Sequence, residues 1–269
     1  MGTVKCQTIA GILEELAPKG LAEGWDNVGL LVGDGRRKIE RVIVCLDVPE
    51  WVIEEAVERK ADMIVSHHPM IFNGIKRVNT DNATGRKIIS LIKNNIALYC
   101  MHTNYDIAQD GLNDVFAKEL GFSDFSILEE TAYESRIMGI GRIAVLEKET
   151  TLLMYAENVK TLLGTDHVSF AGDPNRKIKK VALINGSGSK YINSARFAGA
   201  DVLVTGDMQY HGVLDALEMG LCVIDAGHYA TEKIMIKHIA EYLRNKFQEL
   251  KLDADVVESN ANMEILRVL

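Results

Sequence analysis

Residues 28–69 read VGLLVGDGRRKIERVIVCLDVPEWVIEEAVERKADMIVSHHP, and residues 167–208 repeat much of this stretch without a gap. In this alignment 11 of the 42 positions are identical, more than two unrelated stretches of this composition usually share. Each copy alternates short apolar runs with amphipathic stretches, a pattern typical of parallel strands joined by helices. The sequence therefore predicts an α/β protein of two similar domains that arose by internal duplication, with a cleft between them.

The order of elements sets the predicted domain limits. We place the first α/β domain at residues 1–130 and the second at 131–253, and the second opens with an additional strand at 141–146. The strand-like C-terminal run, Asp255 to Val268, has no counterpart in the repeat. Our hypothesis is that residues 254–269 cross back and supply an edge strand to the first domain.

The composition excludes several classes of protein. Apolar residues make up 47% and charged residues 25% of the 269 residues, as in ordinary globular proteins. A net charge of −8 argues against a chain-wide basic surface for nucleic acid. No run of 18 apolar residues occurs, so we expect neither a membrane span nor a signal peptide, and a cytoplasmic location. The four cysteines lack CxxC spacing and are predicted to be buried, reduced thiols.

Ligands of parallel α/β sheets gather beyond the carboxyl ends of the strands, where loops and helix N-termini converge. This rule selects the polar residues that follow each apolar run. They are Asp47, His67, His68, His102, Asn104, Asp106, Asp207, His211, Asp225, His228 and Glu232. Five of the seven histidines belong to this set, which favours a metal site or acid–base chemistry.

The motif SHHP places His67 and His68 directly after an apolar strand and before Pro69. Neighbouring side chains leave a strand in different directions, so the two rings cannot both pack in one core. Divergent imidazoles suit two metal ions about 3.5–4 Å apart. The alternative is a pair of surface histidines at a strand exit.

The motif HYATE places His228 and Glu232 four residues apart, where the last helix is predicted to begin. If the helix already includes His228, the two side chains share a face and could chelate one ion. Otherwise Glu232 would reach the site from the N-terminus of the helix. By itself HxxxE is more often a solvated helix face. Its predicted position opposite SHHP, on the other wall of the cleft, is what favours a metal-binding role.

Three further residues are candidates for proton transfer or for orienting ligands: His102, Asp207 and His211. The alternative for Asp207 is an N-cap of the helix that follows it. In WDNVGL, Asp26 and Asn27 are expected to cap a loop, with ligand contact as the alternative. NGSGS, residues 185–189, is either a tight turn or an anion site at a helix N-terminus.

The motifs WDNVGLLVGD, ADMIVSHHPMIF, HTNYDIAQDGLND, VLVTGDMQYH and DAGHYATEK occur in this order along the chain. With them the sequence resembles the Nif-three-like family, also labelled GTP cyclohydrolase I type 2 homologs or domain of unknown function 34. The resemblance covers essentially the whole chain, in the short form that lacks an inserted middle domain. It implies two similar α/β domains, a dinuclear metal centre between them and a homohexameric ring. The ligands it implies are His67, His68, Asp106, His228 and Glu232, with Glu232 bridging the ions.

The function that these patterns favour is a metal-dependent hydrolase with two divalent ions per subunit, drawn from Zn, Fe, Mn, Co or Ni. Its substrate would be a small nucleotide-like or heterocyclic molecule, and the family label suggests GTP ring opening as a specific version. The alternative is a non-catalytic metal-binding chaperone or a regulatory, ring-forming interaction protein. We expect no membrane partner and no nucleic acid.

Overall fold

The computed structural model of the chain describes residues 2–268. It forms two compact units, the first made of residues up to Tyr105 together with Met235–Met263, the second of Asp106–Ile234 with the residues from Glu264 onward. None of the helices in this part of the chain is long and apolar enough to cross a membrane. All four cysteines are buried thiols outside any disulfide, as the sequence predicts.

Strands and helices are interleaved along the chain. The strands are β1 Gly2–Lys5, β2 Gly29–Val32, β3 Lys38–Ile39, β4 Arg41–Cys45, β5 Met63–Ser66, β6 Ala97–Cys100, β7 Phe125–Tyr133, β8 Arg136–Thr151, β9 Ser169–Ala171, β10 Lys177–Ser187, β11 Val202–Gly206, β12 Cys222–Asp225, β13 Leu252–Asp253 and β14 Asp255–Glu258. The helices are α1 Cys6–Leu16, α2 Glu50–Glu58, α3 Ala83–Lys93, α4 Thr103–Ile107, α5 Leu112–Glu119, α6 Leu152–Leu163, α7 Ile192–Phe197, α8 Tyr210–Glu218, α9 His228–Glu232 and α10 Ile234–Glu249. The α/β class is therefore confirmed.

The first unit is built on a five-stranded sheet of order β14-β4-β5-β6-β2. The first three pairings are parallel, and β2 runs antiparallel to β6. All four residues of β5 are buried, as expected for a strand covered on both faces. A small second sheet pairs β1 with β13 and β3, and β1 has no signal in the periodicity of the sequence.

The C-terminal run forms a shorter strand than the sequence predicts. β14 pairs in parallel with β4 from Asp255 to Glu258, and the residues that follow are not in a strand. The Glu55 carboxylate of α2 accepts hydrogen bonds from Ser259 Oγ and from the backbone N–H groups of Asn260 and Ala261. Because a side chain takes these backbone donors, they cannot continue the ladder.

The second unit is built on a six-stranded sheet of order β7-β8-β10-β11-β12-β9. β10, β11 and β12 are parallel, whereas β7, β8 and β9 pair antiparallel to their neighbours. Alternate residues of β10 enter two hydrophobic clusters, Val181 and Leu183 one, Ala182 and Ile184 the other. Both faces of the sheet are therefore covered.

The predicted additional strand at 141–146 lies within the longer strand β8, which forms a hairpin with β7. The sequence analysis missed β7 because most of its residues are polar or partly exposed and do not alternate cleanly. Antiparallel pairing supplies its backbone hydrogen bonds instead.

Identical residues of the repeat perform the same task in each unit. Asp62 and Asp201 each accept hydrogen bonds from two consecutive backbone N–H groups; the donors are Glu40 and Arg41 in one unit and Lys179 and Lys180 in the other. Gly33 and Gly172 both have positive φ, +121° and +128°. A Cβ at either glycine would come within 2.8 Å of a side chain in the neighbouring strand, so each permits a close approach between strands.

Candidate metal centre

Three histidines meet at the carboxyl ends of β5 and β6 in the first unit. His67 and His68 follow β5 directly, and His102 comes two residues after β6. Their ring centroids lie 5.0–5.5 Å apart, and one nitrogen from each ring lies within 4.8 Å of the others. The two adjacent imidazoles are therefore not independent surface residues but parts of one cluster.

Hydrogen bonds fix the protonation of His67 and His68. His67 is fully buried, and its Nδ1 lies 2.8 Å from the carbonyl oxygen of Met101. His68 Nδ1 lies 2.8 Å from Asp47 Oδ1. A carbonyl or carboxylate oxygen only accepts, so Nδ1 carries the proton in both rings and, in the neutral imidazole, the lone pair is on Nε2. This is the usual state of a metal-ligating histidine, with its second nitrogen held by an acceptor.

Asp26 holds the third histidine. Its Oδ1 lies 2.9 Å from His102 Nδ1, and its Oδ2 accepts hydrogen bonds from the backbone N–H and the hydroxyl of Thr103. Burial alone would raise the pKa of Asp26, but the hydrogen bonds from His102 and Thr103 outweigh it and lower that pKa to about 2. Asp26 is therefore a carboxylate at neutral pH and orients His102, a more specific role than capping a loop.

In the second unit, His228 and Glu232 share one face of a short helix. Both belong to α9, and His228 Nε2 lies 2.9 Å from Glu232 Oε2. This decides between the two alternatives for HYATE, since the helix includes His228. At this distance the two atoms are in direct contact, and an imidazole nitrogen and a carboxylate oxygen on one helix face are a ligand pair that Zn²⁺ accepts.

Asp207 holds the other nitrogen of His228, with its Oδ2 2.7 Å from Nδ1. Its backbone φ is +53°, an uncommon value outside glycine that marks a constrained position. The alternative role for Asp207, capping the next helix, is wrong, because the N-cap of α8 is Gln209. Both nitrogens of His228 therefore face carboxylate oxygens.

Asp106 joins the second group through an asparagine. The Nδ2 group of Asn185 donates to Asp106 Oδ1 at 2.9 Å and to Glu232 Oε1 at 3.2 Å. Asp106 and Glu232 are 7% and 3% exposed, so both carboxylates are buried. Buried carboxylates need hydrogen bonds or cations to compensate for their lost hydration.

His211 is not brought into either group. It lies exposed in the first turn of α8, its ring packed edge-on against Tyr210, and it belongs to none of the clusters of three or more potential ligands within residues 2–268. The other seven residues predicted as ligands or proton-transfer groups fall into two sets, one in each unit. The first unit holds His67, His68 and His102, and the second holds Asp106, Asp207, His228 and Glu232.

Asn185 is a candidate residue that the sequence analysis does not select. The selection rule takes polar residues that follow a strand, and it assigns Asn185 to the NGSGS turn. β10 continues to Ser187, so Asn185 is still inside the strand. A signal was present, because Asn is rare within buried strands.

The donors of both sets fit divalent transition ions. Imidazole nitrogens with a fixed second hydrogen bond, together with buried carboxylate oxygens, suit Zn, Fe, Mn, Co and Ni. Magnesium and calcium prefer all-oxygen surroundings and fit the histidine cluster poorly.

Comparisons with known proteins identify the family of the chain. The profile of the family described as Duf34/NIF3 (NGG1p interacting factor 3) matches residues 4–264. A protein named GTP cyclohydrolase 1 type 2 homolog from Clostridium perfringens is 43% identical over 94% of both chains, and one of the same name from Clostridium acetobutylicum is 37% identical over 97% of this chain and 98% of its own. A crystal structure of a Bacillus cereus protein related to NIF3 superposes with a TM-score of 0.95 at 28% identity, covering 100% of both chains. The chain therefore belongs to the DUF34/NIF3 family.

Proposed function

We propose that this protein is a metal-dependent hydrolase with a dinuclear centre in the cleft between its two domains. The residues that would hold the ions are His67, His68, Asp106, His228 and Glu232. The observation that carries the proposal is a hydrogen-bonding pattern that four candidate histidines share. His67, His68, His102 and His228 each have Nδ1 against a fixed acceptor, which is how a protein prepares Nε2 for a metal.

Divalent ions bound there would lower the pKa of a coordinated water and polarise a substrate oxygen. The chain's own residues then orient the site and move protons. His102, partly buried beside His67 and held by Asp26, is the proposed proton-transfer group. Asp207 acts through His228, whose ring it fixes. The exposed position of His211 does not support a role for it in proton transfer.

Two exposed aromatic rings beside His102 support a planar heterocyclic substrate. Trp25 and Phe72 are 53% and 49% exposed, with ring centroids 5.6 Å apart, and Trp25 lies 6.0 Å from the His102 ring. A hydrogen bond from Asn27 Nδ2 to the carbonyl of Ile71 ties the two loops together. Half-exposed aromatics next to polar catalytic candidates are typical of ligand sites. The name of the relatives suggests a specific version of this proposal, in which the substrate is GTP and the reaction opens its ring.

The origin and assembly of the molecule belong to the same proposal. The strand orders β4-β5-β6-β2 and β10-β11-β12-β9 are equivalent, and they support an internal duplication. A cytoplasmic homohexamer, with two ions in each subunit, is the assembly that we propose by analogy with the family.

The test begins with elemental analysis of protein purified without added metal or chelator. We expect two equivalents of a divalent ion per chain in the wild type and loss of stoichiometric metal in the double variant His67→Ala/His68→Ala. His167→Ala, a histidine outside both sets, is the matched control. Full metal content in the double variant would remove the proposal. A metabolite screen that includes GTP then separates the enzyme from a metal-binding chaperone, which would bind ions without turnover.

A further inference from the structure

Asn185 connects two carboxylates that the chain supplies from distant segments. Its side chain is buried, with 6% of the residue exposed, and one Nδ2 group donates to both Asp106 and Glu232. An amide NH₂ has two hydrogens, so these two bonds use its full donor capacity. The two accepting oxygens are thereby held within about 6 Å of each other.

The orientation of this amide follows from the chemistry of its partners. Carboxylates only accept, so the nitrogen must face them and the oxygen must point away. Within residues 2–268, that Oδ1 is buried and has no hydrogen-bond partner. Leaving a buried acceptor unpaired costs stability, and an apolar side chain of similar size would avoid the cost. The amide therefore serves the carboxylates and is not simply filler of the core.

The surrounding backbone holds the same arrangement. Asn113 Nδ2 donates to the carbonyl of Asp106 at 3.1 Å, which anchors that segment from the other side. Gly186, next to Asn185, has a φ of +58°, and a Cβ there would lie 2.2 Å from Glu232 Oε1. Glu232 thus occupies space that only glycine leaves open.

We propose that Asn185 is a positioning residue of the metal centre. By donating one hydrogen to each carboxylate, it fixes Asp106 and Glu232 side by side against their mutual repulsion, so that both are already placed when a divalent ion binds. This role rests on the metal-binding part of the proposed function and is independent of whether the protein turns over a substrate. Partners that orient metal ligands typically account for about 10–100-fold in metal affinity.

Cobalt(II) titration of the metal-free, full-length protein tests the role, with the visible absorption of Co²⁺ reporting both affinity and coordination. Asn185→Leu removes both donors at similar volume and should weaken Co²⁺ binding about 10–100-fold, with a changed spectrum. Val159→Ala, in the core of the same unit and remote in sequence from the ligands, is the control for lost stability. It should lower Tm while leaving the affinity and the spectrum of the wild type.

The outcomes separate this role from the proposed function. Unchanged Co²⁺ affinity in Asn185→Leu would overturn the positioning role alone. If that variant fails to fold, Asn185→Ser, which keeps one donor, should show a smaller loss of affinity, and wild-type affinity there would be equally decisive. Absence of Co²⁺ binding by the wild type would overturn both the metal centre and this role. Weakened Co²⁺ binding by Asn185→Leu, together with no turnover by the metal-loaded wild type, would support the positioning role and contradict the hydrolase.

Discussion

At the residue scale, three aspartates orient the rings of three candidate histidines. Asp47, Asp26 and Asp207 each hold one ring by Nδ1, for His68, His102 and His228 in turn. Such a carboxylate fixes the tautomer, orients the ring and raises its basicity toward a metal. Replacing the aspartate should therefore perturb the site while leaving every proposed ligand in place.

Asp26→Asn should destabilise the protein at neutral pH by about 1–2 kcal/mol. The folded-state pKa of Asp26 is about 2, below the ordinary value of an aspartate. Its ionised form therefore stabilises the native state above about pH 4, and this contribution is lost as the pH falls toward 2. Urea unfolding of both proteins between pH 7 and pH 3 should show the deficit shrinking with acid.

The control for this prediction is Asp34→Asn. The pKa of Asp34 is also lowered to about 2, by hydrogen bonds from Arg36, but the pair is exposed and screened by water. We expect a smaller change in stability there. A deficit in Asp26→Asn that stayed constant down to pH 3 would contradict the role of its charge.

Trp25→Ala should weaken binding of a purine nucleotide such as GMP by roughly 1–3 kcal/mol, the usual contribution of one aromatic ring to stacking on a base. The protein has a second tryptophan of similar exposure, Trp51 at 47%, whose indole N–H donates to the carbonyl of Ala261. Trp51→Ala is therefore a matched control. Calorimetric titration that gave equal affinities for Trp25→Ala and the wild type would exclude the stacking surface.

At the scale of elements, the α/β topology places the candidate residues at the ends of strands. A single side chain also ends the strand β14. β5, β6 and β12 each end within three residues of a candidate histidine, so the carboxyl edge of each sheet collects polar groups. β14 ends where Glu55 takes over its backbone donors. Burial alone would raise the pKa of Glu55, but hydrogen bonds, led by the one from Ser259, lower it, so this carboxylate stays ionised.

Deleting residues 254–269 should lower Tm by roughly 5–15 °C, because it removes β14, its ladder with β4 and the Arg41–Asp255 ion pair. Deleting only residues 265–269 leaves β14 and its contacts with Glu55 in place and should have a much smaller effect. Differential scanning calorimetry of the two truncations measures the difference. Equal Tm values for the longer truncation and the wild type would show that the edge strand contributes nothing to stability.

At the scale of the whole molecule, two units with separate hydrophobic cores each hold some of the candidate ligands. Ions bound by the native state alone would stabilise it through mass action. Carboxylates and imidazoles brought together without ions are, by contrast, a source of repulsion and lost hydration.

Chelation followed by dialysis should therefore lower Tm, and adding back Zn²⁺ or Mn²⁺ should restore it. At a hundredfold excess over Kd, one site contributes about 2.7 kcal/mol, which corresponds to a shift of roughly 5–10 °C. The variant His67→Ala/His68→Ala should show a much smaller response to added metal. Identical Tm values for metal-free and metal-loaded wild type would argue against ions that bind specifically to the native state.

Local sequence patterns predict the α/β class, most of the helices and central strands, and the residues at the strand ends. They can do so because periodicity and strand direction involve residues that are close together in the sequence. The contacts between distant segments follow from the tertiary fold: Asp26 with His102, Asn185 with Asp106 and Glu232, and β14 with β4. These partners lie between 47 and 214 residues apart in the sequence, from Asn185 and Glu232 at 47 to Arg41 and Asp255 at 214. Hydrogen bonds form wherever packing brings donors and acceptors into reach, and no local pattern encodes that distance.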